Sequence, residues 1–261
     1  MMGHLEIKQE EMAPRNLFEP KPKSPILICG LPGSGYVGKL AVDHLVASFK
    51  GKLFEEFYSG SFPPHANVDA AGVGRAIRGE LYLCETGQRN DLLVFTADAQ
   101  PTTSDGEYEL SETVLKAAMK RGATTVFALA AYITGGFTAE QRVFGAATSQ
   151  ELLSELTENG VRAMKEGGIS GMNGVIVGTA GLLGLDGACL LGETSGYLVD
   201  PVASQAVLEA LARILKLDID LTELKDRASE AKELIGQIQG MTEEGADARG
   251  AVRSGQPGYI G

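Results

Sequence analysis

The stretch "ICGLPGSGYVGKL", residues 28–40, decides the fold, because it joins a buried strand to a helix through a glycine-rich loop. The apolar run at residues 25–30 is typical of a strand that is buried on both faces. Residues 36–50 then place apolar side chains at helical spacing, and residues 52–59 have the pattern of a second strand. Together they predict a strand–loop–helix–strand unit that begins a parallel α/β sheet.

The loop satisfies the dinucleotide fingerprint G-x-G-x-x-G through Gly33, Gly35 and Gly38. That fingerprint also requires an acidic residue about 20 positions further on, and Glu55 and Glu56 stand near that distance. The second strand should end at this acid, but here it continues for several residues. The dinucleotide interpretation is therefore incomplete.

The same residues fit the phosphate-loop pattern from Gly33 to Lys39, until Leu40 replaces the hydroxyl residue that would hold magnesium on a nucleotide. A helix N-terminus that follows glycines can still cradle an anion. A structural interpretation is simpler, because glycines permit a tight turn and let the helix pack closely on the sheet. Nucleotide binding remains the alternative.

Further elements follow the opening unit along the chain. Apolar runs predict strands at residues 75–85, 91–98, 124–133 and 188–196, and helical patterns predict helices at 105–122, 149–160 and 200–217. We therefore predict a single α/β domain over residues 25–217, with a mainly parallel sheet flanked by helices.

Segments of different character flank this domain. Residues 1–24 are polar and contain three prolines, which predicts a flexible N-terminal arm. Residues 218–241 predict an amphipathic helix whose apolar positions follow a spacing of three and four: Leu221, Leu224, Ala228, Ala231, Ile235 and Ile238. This apolar stripe can pack on its own domain or form a subunit contact, and the sequence leaves both open.

The last segment, residues 242–261, predicts a flexible tail, since it has many glycines and no apolar periodicity. It nevertheless ends in Tyr259, Ile260 and Gly261. Apolar side chains at a flexible end stabilise nothing in their own fold, so these three residues are candidates for docking onto a partner.

Composition and charge exclude several classes of function. The net charge of −11 offers no basic surface for nucleic acid or for an anionic membrane. The three cysteines, Cys29, Cys84 and Cys189, lie far apart in apolar runs, as expected for reduced core cysteines of a cytoplasmic protein. The three histidines have no metal-ligand spacing, so neither a metal nor a cofactor is predicted.

Polar residues after two of the buried strands indicate a candidate ligand pocket at the end of the sheet. Its candidate residues are Gly33, Ser34, Gly35, Gly38, Asp98 and Glu193. The two carboxylates can equally be structural, binding backbone donors or other side chains. No serine has an identifiable histidine–acid pairing, so no catalytic residue is predicted.

Glycine placement and the order of several segments carry a family resemblance. They are residues 30–46, "TADAQP" at 96–101, "TGG" at 134–136, "GMNGVIVGTAGLLG" at 171–184 and residues 193–215. In these segments, and over about residues 24–240, the chain resembles the archaeal and bacterial branch of the proteasome assembly chaperone family.

This resemblance implies an α/β fold akin to that of purine nucleoside phosphorylases, without an established catalytic role. It also implies homo-oligomers that bind proteasome α-subunits or the core particle. Members of the family can end in a hydrophobic–tyrosine–any tripeptide that inserts between α-subunits, whereas here Tyr259 is third from the end. Docking in a shifted register and a tail that does not insert both remain open. The alternative function is a nucleoside- or nucleotide-binding enzyme of the phosphorylase type.

Overall fold

The computed structural model of the protein describes residues 14–136, 141–231 and 233. Its strands are β1 (Arg15–Asn16), β2 (Ile26–Gly30), β3 (Lys52–Phe57), β4 (Ala66–Val68), β5 (Gly74–Ala76), β6 (Gly79–Cys84), β7 (Leu92–Ala97), β8 (Thr125–Ile133), β9 (Val143–Ala147), β10 (Arg162–Ala163) and β11 (Asp186–Thr194). Its helices are α1 (Val37–Ser48), α2 (Ser104–Lys120), α3 (Gln150–Glu158), α4 (Met172–Leu182), α5 (Pro201–Leu215) and α6 (222–231).

A mixed nine-stranded sheet forms the middle layer, in the order β1-β3-β6-β7-β2-β8-β11-β9-β10. Its four central strands, β7, β2, β8 and β11, are parallel, and antiparallel strands flank them on both sides. Strand β2 lies between two parallel partners, and its central Ile28 stands opposite Val94 and Phe127. The predicted fold class, an α/β protein with a mainly parallel sheet flanked by helices, is confirmed.

Two details of the predicted strands are corrected. The second strand, β3, does not pair with β2; it pairs antiparallel with β6, and β6 and β7 separate it from β2. The predicted strand at 75–85 is two strands, because β5 pairs with β4 in a separate hairpin before the chain enters the main sheet at β6.

The two faces of the sheet carry separate apolar cores. On one face α2 and α4 pack on the sheet, and on the other face α1, α3, α5 and α6 pack on it. The buried members of the C-terminal stripe, Leu221, Leu224 and Ala228, belong to the second core. This part of the stripe therefore packs on its own domain, while Ile235 and Ile238 lie outside the described residues.

Residues 14–24 of the predicted N-terminal arm are attached to the edge of the sheet. Strand β1 pairs antiparallel with β3, and the amide of Leu17 donates to the carbonyl of Phe54 at 2.8 Å. The ring of Phe18 meets the ring of Phe54 edge-on, with centroids 6.1 Å apart. This part of the arm is not loose, because the open edge of β3 offers backbone partners.

Helix α1 lies unusually close to the sheet at two glycines. A Cβ atom on Gly38 would stand 2.0 Å from the carbonyl oxygen of Leu129 in β8, and one on Gly30 would stand 2.3 Å from the carbonyl oxygen of Gly38. Neither position has room for a side chain. Close packing of helix and sheet therefore accounts for these two glycines.

The three cysteines lie in the core and form no disulfide, as predicted. Burial raises the pKa of the Cys84 and Cys189 thiols to about 12, and it also raises the pKa of Cys29. All three thiols are therefore protonated and unreactive near neutral pH.

The glycine-rich apolar stretch at 169–185 contains helix α4, which has only 11 residues. Within the described ranges, the structure contains no helix that is both long and apolar enough to cross a membrane. Helix α4 packs instead against the sheet, with Met172, Ile176 and Ala180 buried in the first core.

The close approach of α1 leads to a stability prediction. We expect Gly38→Ala to lower the free energy of unfolding by ~3 kcal/mol, because the new methyl group overlaps a backbone carbonyl that cannot move without disturbing β8. Urea denaturation of the purified variant measures this change.

The matched control is Gly178→Ala in α4, where a Cβ atom would meet nothing within 4 Å. There we expect a gain of about 0.5–1 kcal/mol from helix propensity. Equal effects of the two substitutions would show that Gly38 is not required for close packing.

Candidate functional site

A cleft of about 490 Å³ opens at the carboxyl ends of β2, β7 and β8. Its lining comes from the glycine loop within residues 31–38, Gln100, the end of β8 at 130–133, Met164, residues 166–171, Asn173 and Leu191. In open α/β sheets this edge is where ligands bind, since loops from several strands converge there. The cleft has the size of a small-molecule site.

Gln100 holds the two walls of the cleft together. Its Nε2 donates to the carbonyl of Pro32 at 2.6 Å, and its Oε1 accepts from the amide of Met172 at 2.8 Å. The glycine loop is thereby fixed to the first residue of α4. Gly171 precedes that residue with φ +75°, and a Cβ atom there would stand 2.7 Å from Gln100 Oε1, so only glycine fits.

Asn173 is the most unusual polar group in the lining. The residue is only 6% exposed, and its buried Oδ1 accepts no hydrogen bond from any described residue. A buried amide that lacks partners is uncommon, because its desolvation is uncompensated. Sequence reasoning missed Asn173, since the apolar and glycine pattern around it indicates only close packing.

Three of the four pocket residues predicted in the glycine loop line the cleft, and the fourth does not. Gly33, Ser34 and Gly38 line the cleft. Gly35, with φ +62°, faces away, since a Cβ atom on it would stand 3.0 Å from Thr194 Oγ1.

The predicted carboxylate Asp98 does not line the cleft. It forms a bidentate ion pair with Arg75, at 2.5 and 2.8 Å, and accepts from the amide of Arg78 at 3.0 Å. Burial alone would raise the pKa of Asp98, but the hydrogen bonds and charges of Arg75 and Arg78 outweigh it and lower the pKa. Asp98 therefore anchors the β4–β5 hairpin to the main sheet.

The second predicted carboxylate, Glu193, is also outside the lining of the cleft. It is buried, and both of its oxygens contact the guanidinium of Arg142, with Nε at 2.6 Å from Oε2 and Nη2 bonded to Oε1. Arg142 also lies over the ring of Phe144, 5.8 Å from its centroid. These contacts give Glu193 a structural role in this conformation.

The two acids considered for the dinucleotide fingerprint lie far across the sheet, on β3. Glu55 forms an ion pair with Arg121 at 2.9 Å, and Glu56 forms one with Arg78 at 2.5 Å. Burial raises the pKa of Glu55, although Arg121 opposes the shift. Because β6 and β7 separate β3 from β2, neither acid reaches the glycine loop.

Near the mouth of the cleft the described surface carries an exposed apolar cluster, here named the apolar patch. It consists of Tyr36, Ile133, Tyr197, Leu198 and Val199, which are between 43% and 77% exposed. Large side chains of this kind that lie together on a surface mark interaction sites.

Backbone contacts hold the parts of this patch together. The amide of Asp200, next to Val199, donates to the carbonyl of Gly35 at 2.8 Å, next to Tyr36. A Cβ atom on Gly196 would stand 3.1 Å from the side chain of Ile133. The loop after β11 therefore lies against both the glycine loop and the end of β8.

Other predicted site residues are the C-terminal Tyr259, Ile260 and Gly261, which lie outside the described residues. Over residues 14–136 and 141–231, no three His, Cys, Asp or Glu side chains converge as metal ligands would.

Comparison with known proteins gives matches over almost the whole chain. The PAC2 family model matches residues 27–239. An uncharacterized protein of Methanocaldococcus jannaschii is 37% identical over 220 residues, which cover 84% of each chain.

Two crystal structures from Pyrococcus furiosus are also similar. PbaB, an archaeal proteasome activator, has a TM-score of 0.81 and 33% identity, over 87% of this chain and 98% of that one. PbaA, an archaeal homolog of proteasome-assembly chaperone, has a TM-score of 0.71 and 29% identity, over 92% of this chain and 96% of that one.

The anchoring role of Asp98 can be tested by limited proteolysis. Trypsin cleaves after arginine, and Arg75 and Arg78 are both held by Asp98. We expect Asp98→Asn to accelerate cleavage at these two sites about tenfold at pH 7, because it removes a charge-assisted bidentate pair. Asp105→Asn, an exposed acid in the first turn of α2, is the control for loss of charge.

The same anchor predicts a pH dependence. A carboxyl whose pKa is lowered by folding stabilises the fold above its ordinary pKa, near 4, and loses this contribution as the pH falls through the lowered value. The hairpin amides of the wild type should therefore exchange faster below about pH 4 relative to the core amides. In the proteolysis experiment, an equal rate of tryptic cleavage in Asp98→Asn and Asp105→Asn would contradict the anchoring role of Asp98.

Proposed function

The chain belongs to the PAC2 family, and on that premise we propose that it is a non-enzymatic proteasome chaperone that binds proteasome α-subunits or the assembled core particle. The family match confirms the resemblance found in the sequence. The observation that carries the proposal is the similarity to PbaB, an archaeal proteasome activator, over 98% of that chain at 33% identity. Similarity to PbaA, a homolog of proteasome-assembly chaperone, supports the same role.

The chemistry of the candidate site favours binding over catalysis. Asp98 and Glu193, the acids expected at the cleft, are both engaged by arginines, Arg75 and Arg142. Within the part of the chain that the structure describes, the one charged side chain in the cleft lining is that of Glu166, which is exposed. General acid–base catalysis needs a titratable group within hydrogen-bond reach of the substrate, so a phosphorylase-type activity has little support among these residues.

The C-terminal tail supplies the second part of the proposal. We assign partner binding to Tyr259, Ile260 and Gly261, which offer an aromatic ring and an aliphatic side chain after a glycine-rich segment. Such side chains fit an apolar pocket on a partner. A cytoplasmic location follows from the same proposal, because the partner is a cytoplasmic particle.

We also propose that the chain forms a homo-oligomer through the apolar patch. Tyr36, Ile133 and residues 197–199 together expose apolar surface that a monomer in water would be expected to cover. Copies arranged in a ring or closed cluster would each carry one tail. Several weak contacts to a ring of α-subunits would then add up to tight binding.

The role of the tail is tested by retention on an immobilised proteasome core particle. A chain that ends at Pro257 should be retained at least about tenfold less than the full chain, because the aromatic anchor of each contact is lost and the loss multiplies over the oligomer.

The matched control is an internal deletion of residues 246–249, which also removes four residues but keeps the last three in place. It should be retained like the full chain. Undiminished retention of the chain that ends at Pro257 would remove the tail from the proposal and leave the family role to another surface.

The self-association surface is tested by Tyr197→Glu combined with Val199→Glu. Association would bury the two new carboxylates in the interface, which opposes it, so light scattering should give a mass several-fold lower than for the wild type. Tyr108→Glu, at an exposed tyrosine on α2, is the control and should leave the mass unchanged. An unchanged mass of the double variant would rule out this patch as the interface.

A further inference from the structure

We propose that the cleft between the glycine loop and α4 binds a small neutral molecule whose edge presents a hydrogen-bond donor beside an acceptor, as in a carboxamide or a nucleobase. The inference is independent of the proteasome proposal. It rests on the state of one side chain, Asn173, and on the charge of the surfaces around it.

Asn173 has an unmet hydrogen-bonding requirement. Its carboxamide carries one acceptor oxygen and two N–H donors, and the buried Oδ1 accepts no hydrogen bond from any described residue. The residue is nevertheless only 6% exposed, and it belongs to the lining of the cleft. An amide in this state is complemented by a group that offers a donor and an acceptor side by side.

Gln100, the other carboxamide of the lining, is already engaged. The Nε2 of Gln100 donates to the carbonyl of Pro32, and its Oε1 accepts from the amide of Met172. The latter bond also occupies the first N–H of α4, which would otherwise attract an anion. Of the two carboxamides in the lining, that of Asn173 is thus the one left for a ligand.

The charge of the cleft selects a neutral ligand. Among the described residues, the lining contains no Lys, Arg or His side chain, and its one charged side chain is the carboxylate of Glu166. A phosphate or carboxylate would enter without a cationic partner and against this negative charge, in a chain whose net charge is −11. The apolar residues Leu31, Met164 and Ile169 line the remaining walls and suit the body of an organic molecule.

Thermal unfolding of the full chain with three probes tests the proposal. Benzamide carries the carboxamide edge, adenine carries the nucleobase edge, and inorganic phosphate tests the anion alternative, each at about 5 mM. We expect benzamide or adenine to raise the Tm by at least about 2 °C, because a ligand that binds only the folded state stabilises it. The probe that raises the Tm shows whether the cleft recognises a carboxamide or a nucleobase.

Variants in α4 link the shift to the amide. Asn173→Leu keeps the approximate volume and removes the amide, so the ligand-induced shift should fall at least threefold. Thr179→Val is the matched control: its buried Oγ1 also has no partner among the described residues, but Thr179 does not line the cleft. The control should keep the full shift.

Three results would overturn the proposal. They are the absence of any shift with benzamide and adenine, a shift with phosphate alone, and a shift that persists in Asn173→Leu. If the leucine variant does not fold, Asn173→Ala removes the amide without adding volume, and a full shift in that variant overturns the proposal equally.

Discussion

The contact on which the rest of the structure depends is the approach of α1 to the sheet, where Gly38 lies against the carbonyl of Leu129 and Gly30 lies against Gly38. Any side chain at either glycine would push the helix away from β8. Because the helix is held so close, the loop before it must turn within a few residues, and this turn places Gly33 and Ser34 at the edge of the cleft. Of the glycines in the nucleotide-like motif, Gly38 thus follows from packing and Gly35 from its φ of +62°, and the cleft is a consequence of the same turn.

The arginines determine how the acidic residues of this protein are used. Asp98 is committed to Arg75, Glu193 to Arg142, and Glu55 to Arg121. A carboxylate paired in this way holds elements together. Among the described residues, the cleft keeps the position of an α/β ligand site, with Glu166 as the charged side chain of its lining and the Oδ1 of Asn173 as its buried polar atom without a partner. The exposed apolar side chains near its mouth are typical of a surface that binds another protein.

Local patterns in the sequence predicted most of the helices and strands. The order of the strands in the sheet was not predicted, because it depends on pairing between residues that are distant in sequence. The apolar run before the loop identified β2, and helical spacing identified α1 and α5, because burial on both faces or on one face leaves a periodic signature. The position of β3 at the far side of the β6–β7 pair has no local signature. For the site, the loop glycines were found. The arginine partners of Asp98 and Glu193 were not predicted because they are distant in sequence, and Asn173 was missed because the lack of a partner for its Oδ1 is visible only in three dimensions.

The central claim is that this protein acts by binding a partner, with the glycine loop serving packing and the C-terminal residues serving contact. Amide hydrogen exchange of the full chain, alone and with a proteasome core particle, tests it most directly. The account predicts slower exchange in the peptide that ends at Gly261 when the particle is present, and unchanged exchange at residues 31–38. Slower exchange at residues 31–38 with no change in the C-terminal peptide would contradict it.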